Sequence, residues 1–404
     1  MSPILLSLAT AQAPGAISEM HPRIKTWRCT KASGCNEQES AIVLDAGTHL
    51  VHQRSAPSLS CSIANSTVCP DAKACSANCI IEGIANYTDH GVTTKGSSLF
   101  LKQLKPDGSV MSPRVYLMSP SKMEYEMLRL TGNELAFDVN VSKLPCGMNG
   151  ALYLSEMAAD GGKNQLNKAG AKYGTGYCDA QCFVQPWLNG VANTAGLGAC
   201  CNEMDIWEAN AIAEQLAPHI CNQTGFYGCV GAECTFDGVC DKNGCGQNPY
   251  ALGNPTYYGR GLVVDTNRPF TVITQFPAVN GTLTSIRRLY VQDGKVIENA
   301  SIDVSGVPAG NEIDTAYCKA TGATRFLDLG GMQEMGDALA RGMVLAFSVW
   351  WDTSGYMTWL DSGNAGPCNA TEGNPSVIAQ VQPDTAVTFS QIKWGEIGST
   401  YTSK

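Results

Sequence analysis

The chain has 404 residues, with 27 Lys and Arg against 36 Asp and Glu, giving a formal net charge of −9. That balance excludes the clustered cations that nucleic acid or an anionic membrane surface requires, so neither is expected as a partner. Charged residues make up only 16% and glycines number 42, which fits a turn-rich β protein and excludes a coiled coil or a disordered chain.

Taken in chain order, the first residues read MSPILLSLATAQAPG. An apolar run from Ile4 to Ala11 ends in small residues before Gln12, the form of a signal-peptidase site, although the usual basic start is missing. Residues 1–11 are therefore expected to be a truncated signal peptide, and residues 12–404 a single domain with no internal repeat, linker or appended binding module. No later run approaches the ~18 apolar residues of a membrane span. Short β-rich runs separated by turn residues predict strands over residues 114–119, 125–130, 134–142, 150–157, 270–276, 285–297, 343–351, 357–361 and 386–394. Asp293-Gly294 breaks the sixth run as a hairpin turn. The clearest helical spacing is that of Met332, Met335 and Leu339 within residues 331–341. Many short strands with little helix predict an all-β sandwich or jelly roll.

There are 18 cysteines, an even number that predicts nine disulfides formed in an oxidising compartment. The tight two-residue spacings of zinc ribbons are absent, so a metal site is not expected. Seven Asn-X-Ser/Thr sequons, at Asn65, Asn86, Asn140, Asn222, Asn280, Asn299 and Asn369, agree with secretion. Cys200 and Cys201 are adjacent; a bond between neighbours strains the peptide, so each is expected to reach a different partner.

The stretch GACCNEMDIWEAN, residues 198–210, places Glu203, Asp205 and Glu208 within six residues, interleaved with Met204, Ile206 and Trp207. On a regular strand Glu203 and Asp205 share a face and Glu208 falls out of phase. A bulge between Asp205 and Glu208 would return Glu208 to the first face; otherwise it begins the next loop. Three carboxylates on one face cannot all ionise cheaply, so one is pushed up and becomes a general acid. With a bulge, the two glutamates could approach the ~5–5.5 Å of a retaining glycosidase. The alternatives are a solvated acidic face, which would not be interleaved with large apolar residues, and a calcium site, which needs more oxygen ligands nearby.

Around this motif the chain resembles glycoside hydrolase family 7, the fungal cellulases. LPCGMNGALY (144–153), GYCDAQC (176–182), APH (217–219), NPY (248–250) and WLDSG (359–363) carry the resemblance, which covers nearly the whole chain from Gln12. It implies a concanavalin-like β-sandwich with a long substrate groove and a retaining mechanism acting on cellulose or another β-1,4-glucan, with no cofactor, in a secreted monomer. Glu203 matches the nucleophile, Glu208 the acid/base and Asp205 the residue that tunes the nucleophile. His219 matches a histidine lining the site. Asn149, Tyr153, Asp179 and Gln181 match residues that hold glucose hydroxyls, with core packing an open alternative for Tyr153. Trp350 and Trp359 match tryptophans that stack on sugars on either side of the cleavage point; each is read in an apolar strand, so core burial is the open alternative. The resemblance also implies the pairing Cys29–Cys35, Cys61–Cys79, Cys69–Cys75, Cys146–Cys368, Cys178–Cys201, Cys182–Cys200, Cys221–Cys240, Cys229–Cys234 and Cys245–Cys318.

Three departures favour an endo-acting enzyme with an open cleft over a cellobiohydrolase with a tunnel. Only LDSGNAGP separates Trp359 from Cys368, the segment CTFDGVC lacks a longer arginine-bearing loop, and Thr48 and Leu50 stand where cellobiohydrolases carry tryptophans. A non-catalytic lectin-like module remains the alternative of another class, opposed by the intact glutamates.

Overall fold

The computed structural model describes residues 12–307 and 310–402; the segment read as a signal peptide lies outside them. Twelve strands, numbered here in chain order, build the body. They are β1 (Arg23–Thr30), β2 (Gly34–Leu44), β3 (Arg114–Met118), β4 (Asn133–Asn140), β5 (Met148–Ser155), β6 (Glu203–Ala209), β7 (Glu214–His219), β8 (Phe270–Gln275), β9 (Ser285–Gln292), β10 (Lys295–Glu298), β11 (Met343–Trp351) and β12 (Ala386–Glu396). They hydrogen-bond in the order β7-β6-β5-β11-β3-β2-β1-β12-β4-β8-β9-β10. Neighbours are antiparallel except β1 and β12, which run parallel.

The path folds back on itself. Phe347 of β11 meets Phe389 of β12 with ring centroids 5.5 Å apart, and Trp207 of β6 meets Phe270 of β8 at 5.8 Å. Strands distant along the path thus press together around one apolar core, the arrangement of a concanavalin-like β-sandwich. On β5, Leu152 and Leu154 enter this core, while Ala151 and Tyr153 join a second cluster on the other face. On β11, Leu345, Phe347 and Val349 face inward and Val344 and Ala346 outward. A period of two therefore puts Asn149, Tyr153 and Trp350 on the outer face, where the family resemblance implies the substrate groove. The layers approach closely at Gly150, where a Cβ would stand 3.1 Å from a methyl of Val387 on β12.

All nine disulfides pair as the resemblance implies, with Cys200 and Cys201 reaching Cys182 and Cys178. The helix at Gly331–Arg341 forms and buries Met332, Met335 and Leu339. Asp293 and Gly294 both take positive φ at the β9–β10 hairpin, as its turn requires. Two expected strands differ. Residues 125–130 contribute only Met127–Leu128. Residues 357–361 form a short helix, Thr358–Asp361, entered through left-handed Tyr356 and Met357; so brief an apolar run has no periodicity to separate the two states. Strands β1, β2 and β7 and the helices Ala72–Asn78, Thr315–Ala320, Thr324–Asp328 and Pro375–Val381 were not anticipated. Six sequon asparagines are exposed or half-exposed. Asn299 is buried and donates to Gln247 Oε1 at 2.7 Å, so glycosylation there is incompatible with the fold.

Candidate active site

Of the two outcomes that the sequence leaves open, the bulge is the one present on β6. Along its pairing with β7 the register shifts between Asp205 and Glu208, and along β5 it shifts between Leu152 and Leu154. The cause lies on the inner face. Ile206 and Trp207 are consecutive, yet both are fully buried in the core. Strict alternation would expel one of them, and the extra residue of a bulge admits both. Arg288 of β9, itself buried, braces this point: its guanidinium donates to the Ile206 carbonyl, bonds Thr274 Oγ1 at 3.1 Å and stands 3.5 Å from Glu214. With the phase reset, Glu203, Asp205 and Glu208 all face the groove.

Their surroundings differ. Glu203 accepts the Ala180 amide at 3.0 Å. Glu208 accepts Asn149 Nδ2 at 2.8 Å, while Asn149 Oδ1 accepts the Ala209 amide at 3.2 Å and fixes the orientation of the side-chain amide. Asp205 faces His219, Nε2 to Oδ2 3.2 Å, and His219 Nδ1 donates to the Asp241 carbonyl at 3.1 Å. Both imidazole nitrogens thus point at acceptors, the pattern of an imidazolium.

Burial, then the charges of Asp205 and Asp179, push the Glu203 carboxyl well above its usual range. Burial and the Asp205 charge push Glu208 up to about 8, against the Asn149 hydrogen bond. Burial alone would discharge His219, but its bond to Asp205 and that carboxylate's charge outweigh it and raise the imidazole to about 9. The groove therefore keeps protons at neutral pH that isolated carboxylic acids would lose.

The other expected residues divide. Tyr153 is buried on the groove face, with its hydroxyl 3.3 Å from that of Tyr177. Asp179 accepts the Gln181 and Cys182 amides at 3.0 and 3.1 Å, and Gln181 Nε2 donates to the Lys242 carbonyl at 2.9 Å, so both side chains are engaged in holding their loop. Trp350 lies opposite Asn149 in the β5–β11 register. Trp359, 41% exposed, sits on the short helix rather than a strand. The two indoles face each other with centroids 6.5 Å apart. Sequence reasoning passed over Arg114, Tyr177 and Lys242. The Arg114 guanidinium lies 3.4 Å from the Tyr177 ring centroid and bonds Asp45 at 3.1 Å. Tyr177 lies inside the GYCDAQC motif and could have been found there; Arg114 and Lys242 carry no local signal.

A sequence model of glycosyl hydrolase family 7 matches residues 14–401. The chain belongs to this family. Among family-7 relatives, a protein of Aspergillus terreus described as a probable endo-beta-1,4-glucanase is 55% identical, covering 99% of this chain and 97% of its own. The native endocellulase of Humicola insolens superposes with a TM-score of 0.94 at 55% identity, over 96% of this chain and all of that one. A family-7 cellobiohydrolase from Daphnia pulex shares the fold at a TM-score of 0.90, with 35% identity over 96% of this chain and all of its own.

Proposed function

We propose that the protein is a secreted, monomeric endo-β-1,4-glucanase that hydrolyses cellulose and related β-glucans with retention of configuration, residues 12–404 forming its one catalytic domain. The observation that carries this reading is the β6 bulge, which sets two glutamates and an aspartate on one groove face with Glu208 held up to about 8. Glu203 attacks the anomeric carbon and forms a glycosyl-enzyme. Glu208 protonates the departing glycosidic oxygen, then takes a proton from the water that releases the sugar. Asp205, joined to His219, stands beside both glutamates. Asn149 orients Glu208, Trp350 and Trp359 offer apolar faces to the C–H surfaces of glucose units, and Tyr153, Asp179 and Gln181 shape the groove.

An open cleft, and so endo action, is supported by two segments. After Trp359 the chain closes at once, with the Cys368 amide bonding the Asp361 carbonyl at 2.9 Å. Leu50, where a tunnel would need a platform, is exposed. The endoglucanase descriptions of the relatives at 55% identity agree.

The test uses substrates with and without an activated leaving group. Glu208→Gln should lose 10²–10⁴-fold on unactivated glucan, the usual worth of acid–base help. It should still be glycosylated by a nitrophenyl cellobioside, and azide should restore turnover with a β-glycosyl azide product. Glu203→Gln should be inactive on every substrate. Initial release of the α anomer from wild-type enzyme, or azide rescue of Glu203→Gln with a β product, would overturn the assignment. A steep fall in viscosity per reducing end released separates endo from exo action.

A further inference from the structure

Burial raises both groove glutamates, yet the proposed reaction needs one ionised and the other protonated. Asn149 and the Ala180 amide give each a single donor, so hydrogen bonding alone does not divide their roles.

Glu203 is faced by Asp205 and Glu208 on its own strand, by Asp179 and Tyr177 on the loop closed by Cys178–Cys201 and Cys182–Cys200, and by Tyr153 on β5. Three cations stand in this neighbourhood. His219 is paired with Asp205 and Arg114 with Asp45. Lys242 makes no ion pair among the described residues. Its ammonium donates instead to two consecutive carbonyls, those of Ala180 at 3.2 Å and Gln181 at 2.6 Å. Gln181 Nε2 returns a bond to the Lys242 carbonyl. The loop carrying Ala180 is thus clamped to the loop carrying Lys242, which Cys221–Cys240 and Cys245–Cys318 hold on either side. The residue clamped is the one whose amide donates to Glu203.

We propose that Lys242 is a positioning residue that holds the Ala180 amide against Glu203 and, by its unpaired charge, favours the Glu203 carboxylate. The ammonium's field reaches Asp179 and Glu203, each of which favours its charged form against half-burial. By reciprocity it favours theirs. Glu208 has its own cation in His219, which is shared with Asp205 and draws the Glu208 carboxyl down. Lys242 thereby opposes, at Glu203, the neighbouring carboxylates of Asp205 and Asp179 that raise it.

This rests on the reading of Glu203 as nucleophile. The experiment follows the burst of dinitrophenolate from a dinitrophenyl β-cellobioside as a function of pH. That leaving group needs no proton, so the acid limb of the burst reports Glu203 alone. Lys242→Gln keeps a hydrogen-bond donor and removes the charge. Its acid limb should move to higher pH by about half a unit, about threefold slower on the acid side, with KM little changed. Lys242→Arg keeps the charge and should keep the wild-type limb. If Lys242→Gln does not fold, Lys242→Met is measured in its place. A superimposable limb in the neutral variant overturns the proposal, as does an equal shift in both variants or a raised KM with an unmoved limb. A Glu203→Gln control that still shows a burst would instead remove the nucleophile assignment, whatever Lys242 does.

Discussion

Near the N-terminus, Glu19 and Glu82 meet His49 and His52; in the groove, Glu203, Asp205 and Glu208 meet His219. Both clusters are buried carboxylates beside imidazoles, and they are wired differently. Glu82 accepts His52 Nε2 and the Ile17 amide, each at 2.8 Å. Glu19 accepts the Ile84 amide at 2.7 Å and the Tyr87 hydroxyl, with His49 3.6 Å away. Against the cost of burial, the bonds from His52 and the amides hold Glu82 below its usual range, and the Glu82 bond raises His52. These carboxylates stitch the segment leading into β1 onto its neighbours. The groove glutamates have one protein donor apiece and a carboxylate between them, and both are driven up. A carboxylate given several donors is a fixed anion; one given few, beside another anion, holds a proton it can deliver.

The largest separation of the two clusters should appear in turnover. Glu203→Gln and Glu208→Gln should lose at least 10²-fold on soluble β-glucan, whereas Glu82→Gln should leave kcat/KM within about twofold of wild type. An equal loss in Glu82→Gln would erase the distinction. Stability should divide the other way. Glu82→Gln removes charge-assisted bonds and should cost about 2 kcal/mol in denaturant unfolding. Glu208→Gln relieves a raised carboxyl beside Asp205 and should cost nothing or stabilise; a comparable loss there would mean that Glu208 is structural.

The pH dependence of stability sharpens the contrast. Glu208 rises from 4.5 to about 8 on folding, and His219 from 6.5 to about 9. The folded protein thus holds protons that the unfolded chain releases, so both contributions are present at low pH. That of Glu208 is lost as pH rises from about 4.5 to 8, and that of His219 from about 6.5 to 9. Glu82 is lowered, so its contribution is present above 4.5 and is lost as pH falls through its folded value. Wild-type stability should therefore decline between pH 5 and 8. Glu208→Gln should flatten that decline, and Glu82→Gln should remove only the part that His52 adds above about 6.5 while abolishing the loss of Glu82 itself at acid pH. Thermal unfolding across this range measures both. The smallest effect concerns His219, whose charge draws Glu208 down. In His219→Gln the alkaline limb of kcat/KM on unactivated glucan should move up by about half a unit; an unmoved limb would show that His219 does not act on the acid.

The amino-acid sequence by itself determined the chemistry and most of the frame. Eighteen cysteines named the covalent staples, alternating runs placed most of the core strands, and the spacing of Glu203, Asp205 and Glu208 marked the site, because residue type and a period of two are local properties. Whether Glu208 joined the others was left open, since a bulge depends on what lies beneath it; Trp207 and Ile206 had to find room together against Phe270 and Arg288, and those contacts come from strands some 60 to 80 residues away. For the same reason the helical turn under Trp359, the burial of Asn299 and the grip of Lys242 on Ala180 were decided only by the tertiary structure. Each is a meeting of segments whose relative positions are set by the folded sandwich and its disulfides, and no local pattern encodes such a meeting.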